Sequence, residues 1–254
     1  NRKKENTLAL RGKFSDIETL YSAKSFLNSI NSKFYDCRFD NAQFIEGHRN
    51  SYLLNSSIKE IENSDAILIV GSNPRWEAAV LNSRIRKAYL NNSCKIGLIG
   101  SKIDLNYNYQ HLSNDLSYLN DILNNKSEFC KILNEAEKPI LIIGTSVINF
   151  DKGKDILKVC AEISNRLEKT KELNNLNVLQ QNISRVGALD IGFYNKIFDN
   201  DLNTYVKDHV KKFKPVVFLL NLDEIDTSLF EGAFIVYIGH HGDSGANIAD
   251  VILP

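Results

Sequence analysis

The sequence predicts an α/β fold in which buried strands alternate with helices and form parallel sheets. Five short apolar runs have the composition of strands buried on both faces of a sheet: residues 66–70, 95–100, 139–144, 215–220 and 233–238. Segments with apolar residues at three- and four-residue spacing lie between these runs, which is typical of amphipathic helices. The 254 residues suffice for one large domain or two smaller ones.

The N-terminal segment contributes one strand and one helix to this scheme. Residues 7–10 are a short strand candidate, and the spacing of Ser15 and Glu18 predicts a capping box at the start of a helix. Residues 34–47 have no clear period and predict a loop. Residues 52–62 predict a short helix that leads to the first of the five buried runs.

The chain is organised around residues 64–90, which predict a strand, a tight turn and a helix. Gly71 ends the strand, Asn73 is placed to cap the helix, and Pro74 is placed at its first position. The helix presents an apolar stripe made of Ala78, Leu81, Ile85 and Ala88. The run at 95–100 then completes a β-α-β unit.

The C-terminal part continues the alternation of helices and strands. Helices are expected at residues 114–124, 127–137, 152–171, 178–189 and 195–214, the last of these together with a loop. A final short strand is expected at residues 250–253.

Composition excludes several classes of function. Lys and Arg number 31 and Asp and Glu also number 31, so net charge gives no reason to expect a nucleic-acid or membrane-surface partner. The four cysteines are scattered and form no CxxC pair, which indicates neither a metal site nor a disulfide framework. No apolar run approaches the roughly 20 residues that a membrane span requires.

The turn Gly71-Ser72-Asn73-Pro74 is the first candidate site, because backbone amides at the start of a helix attract phosphate. However, the turn lacks the GxGxxG pattern, and Gly100-Ser101 follows the next strand where an acidic residue would bind a ribose hydroxyl. The alternative is a purely structural turn that needs glycine and a cap.

The second candidate is Gly239-His240-His241-Gly242-Asp243, which follows a strand. Two histidines beside an aspartate suggest a metal site or acid–base chemistry. Adjacent side chains on an extended chain point apart, and no nucleophile or further ligand lies nearby in the sequence. We therefore interpret this segment as a structural loop, and the role of His240 and His241 stays open.

Three collinear blocks carry a resemblance that goes beyond these patterns. They are NSYLLNSSIKEIENSDAILIVGSNPRWEAAVLNSRIRKAYL at 50–90, KIGLIGSKIDLNYNYQHL at 95–112 and GHHGDSGANIADVILP at 239–254. Together they resemble the C-terminal, molybdopterin-oxidoreductase-like part of the largest iron–sulfur subunit of respiratory complex I, the NADH:ubiquinone oxidoreductase. The resemblance runs from about Leu8 to Pro254.

This resemblance implies two Rossmann-like lobes, residues 36–125 inserted into a second lobe made of 1–35 and 126–254, with the C-terminal remainder of the family domain absent. It implies iron–sulfur clusters in an N-terminal domain or a partner chain, and none in this chain. In molybdopterin enzymes a Gly-x-Asn-Pro turn and an Asp-Pro-Arg turn hold the cofactor's guanine dinucleotides. Here Gly71–Pro74 matches the first turn, while Gly100-Ser101-Lys102 replaces the second. A vestigial site without metal or catalytic residues is therefore expected.

The implied role is that of a non-catalytic subunit of complex I on the matrix side of the mitochondrial inner membrane. Its implied partners are peripheral-arm subunits, including the iron–sulfur domain of the same subunit, with no nucleic acid and no membrane span. Three alternatives remain open: a molybdopterin-dependent oxidoreductase domain with a live cofactor, a free-standing nucleotide-binding module, and a location on the cytoplasmic face of a bacterial membrane.

Overall fold

A computed structural model describes residues 2–168, 175–195 and 201–254. These residues divide into two compact units. The first unit consists of Asn1–Asn41 and Gln181–Pro254, and the second unit is Ala42–Gln180. Each unit contains one parallel sheet, which confirms the predicted α/β class. No described helix combines the length and apolar character needed to cross a bilayer.

The strands of the described residues are β1 (Leu8–Arg11), β2 (Phe34–Asp36), β3 (Ala66–Val70), β4 (Lys95–Ile99), β5 (Gln110–Ser113), β6 (Pro139–Ile143), β7 (Leu176–Val178), β8 (Val216–Leu220), β9 (Phe234–Ile238) and β10 (Val251–Leu253). The α-helices are α1 (Ile17–Ser29), α2 (Ile58–Glu62), α3 (Pro74–Glu77), α4 (Ala79–Asn92), α5 (Leu119–Leu123), α6 (Phe129–Glu135), α7 (Thr145–Ile148), α8 (Gly153–Leu167), α9 (Arg185–Asp190), α10 (Leu202–Phe213) and α11 (Ser244–Asn247). Short 3₁₀ helices span Lys4–Asn6, Arg49–Tyr52, Leu116–Tyr118 and Thr227–Phe230.

The sheet of the second unit has the strand order β5-β4-β3-β6-β7, and every pairing is parallel. All five residues of β3 are buried. Ala66, Leu68 and Val70 face one apolar cluster, whereas Ile67 and Ile69 face another, so both faces of the sheet are covered. The strand order reverses between β3 and β6, and ligands of open α/β sheets bind outside the strand ends at such a switch point.

The sheet of the first unit has the order β10-β9-β8-β1-β2 and is also parallel throughout. Its central strand β8 contributes Val217 and Leu219 to a core that also contains Leu8, Leu10 and Tyr237. The order of this sheet reverses between β1 and β8. The carboxyl ends of these two strands therefore form the switch point of the first unit.

The bounds of the inserted unit differ from the lobe expected from the resemblance. That lobe ended at residue 125, whereas the unit in the structure continues to Gln180. The physical reason is strand pairing: β6 pairs with β3 along its whole length, and β7 pairs with β6. The first boundary lies after Asn41 rather than after residue 35, because β2 pairs with β1 and belongs to the first sheet.

Several local predictions also require correction. The cap of α1 is Asp16, whose carboxylate accepts from the amide of Thr19, while the Ser15 hydroxyl donates to the carbonyl of Leu220. The predicted helix at 178–189 is β7 and a loop, followed by α9. The expected helix at 152–171 corresponds to α8, which ends at Leu167. The last residues of this expected helix, and residues 196–200 of the helix expected at 195–214, lie outside the described residues.

A pH dependence is expected from His209 on α10, which is 3% exposed, with its Nε2 2.9 Å from the carbonyl oxygen of Asn6. Burial lowers the pKa of His209, and the nearby Lys212 charge lowers it further. The unfolded chain, with a histidine pKa of about 6.5, therefore takes up the proton first on acidification. The contribution of His209 to stability is complete above about pH 6.5 and decreases as the pH falls toward its lower folded-state value.

Urea unfolding from about pH 8 to about pH 5 tests this expectation. His209→Gln retains a donor for Asn6 and should lose less stability on acidification than the unmodified chain. Equal losses in both chains would contradict the assignment.

Candidate functional site

The turn Gly71–Pro74 lies at the switch point of the second unit, between the end of β3 and the start of α3. The turn after β6, at Gly144, lies beside it. A Cβ on Gly144 would come within 2.2 Å of the Gly71 carbonyl oxygen, and the Ser146 hydroxyl donates to that same oxygen. The two turns therefore pack backbone against backbone.

Gly71 is required by its conformation as well as by its surroundings. Its φ is +55°, in the left-handed region that favours glycine. A Cβ at this position would also lie 2.6 Å from Cγ2 of Val147. The backbone conformation and the close packing thus both require glycine at this position, whether or not the turn binds a phosphate.

The start of the helix agrees in part with the sequence. Pro74 is the first residue of α3, but the side chain of Asn73 makes no capping hydrogen bond. The predicted single helix is interrupted at Ala78, where φ is −152° and ψ is 64°, and continues as α4. The predicted apolar stripe is buried at Leu81, Ile85 and Ala88.

Glu77 is the residue of this site that the sequence did not single out. Its Oε1 accepts from the backbone amide of Asn73 at 2.7 Å. Its Oε2 accepts from both the amide and the hydroxyl of Thr145, each at 3.1 Å. One carboxylate therefore joins the two turns at the switch point and occupies amides at the start of α3 and of α7.

These contacts decide whether the turn fits the dinucleotide of a molybdopterin cofactor. A phosphate at the amides of Asn73 and Thr145 would have to replace, or lie against, the negative carboxylate of Glu77. The loop after β4 offers Gly100, Ser101 and Lys102 rather than an acid followed by an arginine. The residues of these two turns therefore do not fit the binding of a guanine dinucleotide that the Gly-x-Asn-Pro turn provides in molybdopterin enzymes.

The histidine pair lies in a bend after β9 rather than on extended chain. The expectation that the two rings point apart is wrong: their centroids are 4.3 Å apart in an edge-on arrangement, because the backbone turns at these residues. His240 Nδ1 is 2.9 Å from the amide oxygen of Asn221. Both histidines are exposed beside an open cavity of about 650 Å³.

No group of three or more His, Cys, Asp or Glu side chains in the described ranges is arranged to hold a metal ion. All four cysteines are free and buried. Burial raises the pKa of the Cys37 and Cys94 thiols to about 11 and that of Cys160 to about 12. These three thiols are therefore protonated near neutral pH, which is unfavourable for nucleophilic chemistry.

Comparison with known proteins identifies the family to which the sequence is similar. The family model described as molybdopterin oxidoreductase matches residues 1–254. The chain is 36% identical, over 96% of its length, to the NADH-ubiquinone oxidoreductase 75 kDa subunit of Reclinomonas americana. It is 38% identical, over 97% of its length, to the mitochondrial NADH-ubiquinone oxidoreductase 78 kDa subunit of Candida albicans. It covers 37% and 33% of these relatives, so it spans about a third of their length.

A solved structure supports the fold at greater distance. The formyltransferase/hydrolase complex of Methylorubrum extorquens contains a chain that superposes with a TM-score of 0.67 at 15% identity. The superposition covers 97% of this chain and 78% of the other. The two parallel sheets agree with this fold, and the family match over the whole sequence shows that this chain belongs to the molybdopterin oxidoreductase family.

Proposed function

We propose that this chain is a structural, non-redox part of the peripheral arm of respiratory complex I. The proposal is supported by relatives at 36–38% identity that carry the names of the 75 and 78 kDa subunits of NADH-ubiquinone oxidoreductase. In this role the chain packs against the iron–sulfur domain of the same subunit and against neighbouring peripheral-arm subunits. Electrons pass through clusters held by other domains, and no residue of this chain reacts.

The observation that carries the non-redox part of the proposal is the carboxylate of Glu77 at the switch point. The amides of Asn73 and Thr145, which a phosphate would use, already donate to this side chain. The site then contributes to stability, because the carboxylate satisfies polar groups of two adjacent turns. These two amides therefore have their acceptor without a cofactor, whereas Ser72 Oγ and Asn73 Oδ1 of the same turn are buried and have no partner among the described residues.

The proposed location is the matrix side of the mitochondrial inner membrane. It is supported by the mitochondrial designation of relatives such as the iron–sulfur protein 1 of Solanum tuberosum, which is 33% identical over 99% of this chain. Attachment to the membrane is then indirect, through the assembled complex.

Metal and pterin analysis tests the non-redox assignment. The chain is purified within its native assembly, and molybdenum, tungsten and oxidised pterin are measured per mole of chain. We expect far less than one equivalent of each, together with iron from the clusters of the assembly. About one equivalent of molybdenum or tungsten with a pterin would contradict the proposal and establish a live cofactor site.

A further inference from the structure

The switch point of the first unit contains a small cavity that has no place in the proposed structural role. Its volume is about 190 Å³, and its lining includes Arg11 and Gly12 from the end of β1, Cys37 and Asp40 after β2, and Asn182 and Arg185 at the start of α9. Ligands of doubly wound sheets bind at this position. The cavity is smaller than the roughly 300 Å³ at which pockets for drug-sized ligands begin.

Arg11 is the unusual residue of this cavity. Its side chain is 2% exposed, yet its Nε and Nη2 have no hydrogen-bond acceptor among the described residues. Buried guanidinium groups are normally paired, because an unpaired buried charge is costly. Burial, followed by the charge of Arg185, lowers the pKa of Arg11 to about 10. The guanidinium therefore still carries its charge near neutral pH.

A second arginine lines the same cavity. Arg185 is 3% exposed and donates through Nη2 to Asp40 at 2.7 Å, while its Nε has no acceptor among the described residues. Asp40 also accepts from the side-chain amide of Asn182 at 2.8 Å. The Asp40 carboxylate is thus engaged by Arg185 and Asn182, while Nε and Nη2 of Arg11 and Nε of Arg185 have no acceptor among the described residues.

The charges around the cavity do not balance. Three cationic side chains line it, Arg11, Lys13 and Arg185, against two carboxylates, Asp40 and Glu224. Lys13 is paired with Glu224 at 3.5 Å and Arg185 with Asp40. The Cys37 thiol cannot supply the missing negative charge, because burial raises its pKa to about 11. Among these described lining groups, one positive charge remains without a counter-charge.

We propose that Arg11 and Arg185 bind a small phosphate-class oxyanion in this cavity. A guanidinium presents a planar fork that matches phosphate oxygens in a bidentate arrangement, and such charge-assisted hydrogen bonds are about twice as strong as neutral ones. The cavity holds a phosphoryl group but not a dinucleotide. The ligand is either free phosphate or the phosphoryl end of a larger molecule. This inference does not depend on the proposed complex I role.

Isothermal titration calorimetry of the full 254-residue chain with inorganic phosphate tests the proposal, with chloride at equal ionic strength as the reference. Arg11→Gln should weaken phosphate binding by at least about tenfold, because it removes a charged donor at the ligand. Lys211→Gln makes the same change of charge at an exposed position of the same unit and should leave binding within about twofold. Absence of phosphate binding, or equal weakening in both variants, would overturn the proposal.

Folding of the Arg11 variant is checked by thermal unfolding with and without phosphate. Without phosphate, Arg11→Gln should unfold at or above the temperature of the unmodified chain, because it removes an uncompensated buried charge. Added phosphate should raise the unfolding temperature of the unmodified chain only. If Arg11→Gln fails to fold, Arg11→Lys takes its place, because lysine keeps the charge without the planar fork. Phosphate binding by Arg11→Lys as tight as that of the unmodified chain would contradict the bidentate arrangement.

A parallel titration with adenosine monophosphate distinguishes the two sources of the ligand. Binding as tight as that of phosphate, and equally sensitive to Arg11→Gln, supports a site for the phosphoryl end of a larger molecule. Binding of phosphate alone supports a site for the free anion.

Discussion

Asp36→Asn is expected to lower the free energy of unfolding by about 3–5 kcal/mol, the cost of breaking a buried ion pair from one side. Asp36 at the end of β2 is fully buried. Its Oδ1 accepts from the backbone amide of Arg38 at 2.7 Å and from Nε of the Arg38 side chain at 3.0 Å. Its Oδ2 accepts from Nη2 of Arg38 at 2.9 Å and from the backbone amide of Asn195 at 3.0 Å. An asparagine amide would remove the charge and turn a donor toward other donors.

Urea unfolding followed by circular dichroism measures this loss. The matched control is Asp104→Asn, since Asp104 pairs with Arg75 at 2.7 Å but its side chain is 76% exposed. Exposed pairs contribute about 0–1 kcal/mol, so the control should change stability by less than that. Similar losses of stability in the two variants would contradict the conclusion that the buried Asp36–Arg38 ion pair stabilises the first unit.

Glu77→Ala is expected to destabilise the second unit by about 2–3 kcal/mol, because two backbone amides and one hydroxyl lose a charged acceptor at once. The donors to Glu77 are Asn73 and Thr145, which lie 72 residues apart in the sequence. Both amides are only partly buried, so water recovers some of the lost hydrogen bonding and limits the effect.

Chemical unfolding also measures this change, with Glu162→Ala as the control. Glu162 lies exposed on α8 of the same unit, so its replacement makes the same change of charge and should stay within about 0.5 kcal/mol. If both variants were equally stable, the carboxylate of Glu77 would not be an integral part of the switch point, and a phosphate could compete for the two amides.

The strands that the sequence predicted are those with an unbroken apolar run. β3 and β6 are buried along their entire length and were recognisable by composition. β5 was missed because Gln110–Ser113 is a polar edge strand that is at most half-buried. β7 was missed because it has only three residues and carries the buried amide of Asn177. Edge strands need less apolar surface, so composition reveals them poorly.

The two sites differ in a related way. The Gly71–Pro74 turn was visible in the sequence because glycine and proline have local conformational meaning. The role of Glu77 depends on Thr145, and the burial of Arg11 depends on β8, whose register places Leu220 opposite Arg11. A charged residue at the end of an apolar run looks like the exposed end of a strand. Only the pairing of distant strands shows that Arg11 ends an interior strand, which lies between β8 and β2.

Membership of complex I is tested most directly by native electrophoresis of detergent-solubilised membranes, with staining for NADH dehydrogenase activity and mass spectrometry of each band. The proposed role predicts that this chain migrates only in the large NADH-oxidising band, beside the subunits that it contacts. Migration alone or in a small complex without NADH oxidation would contradict it.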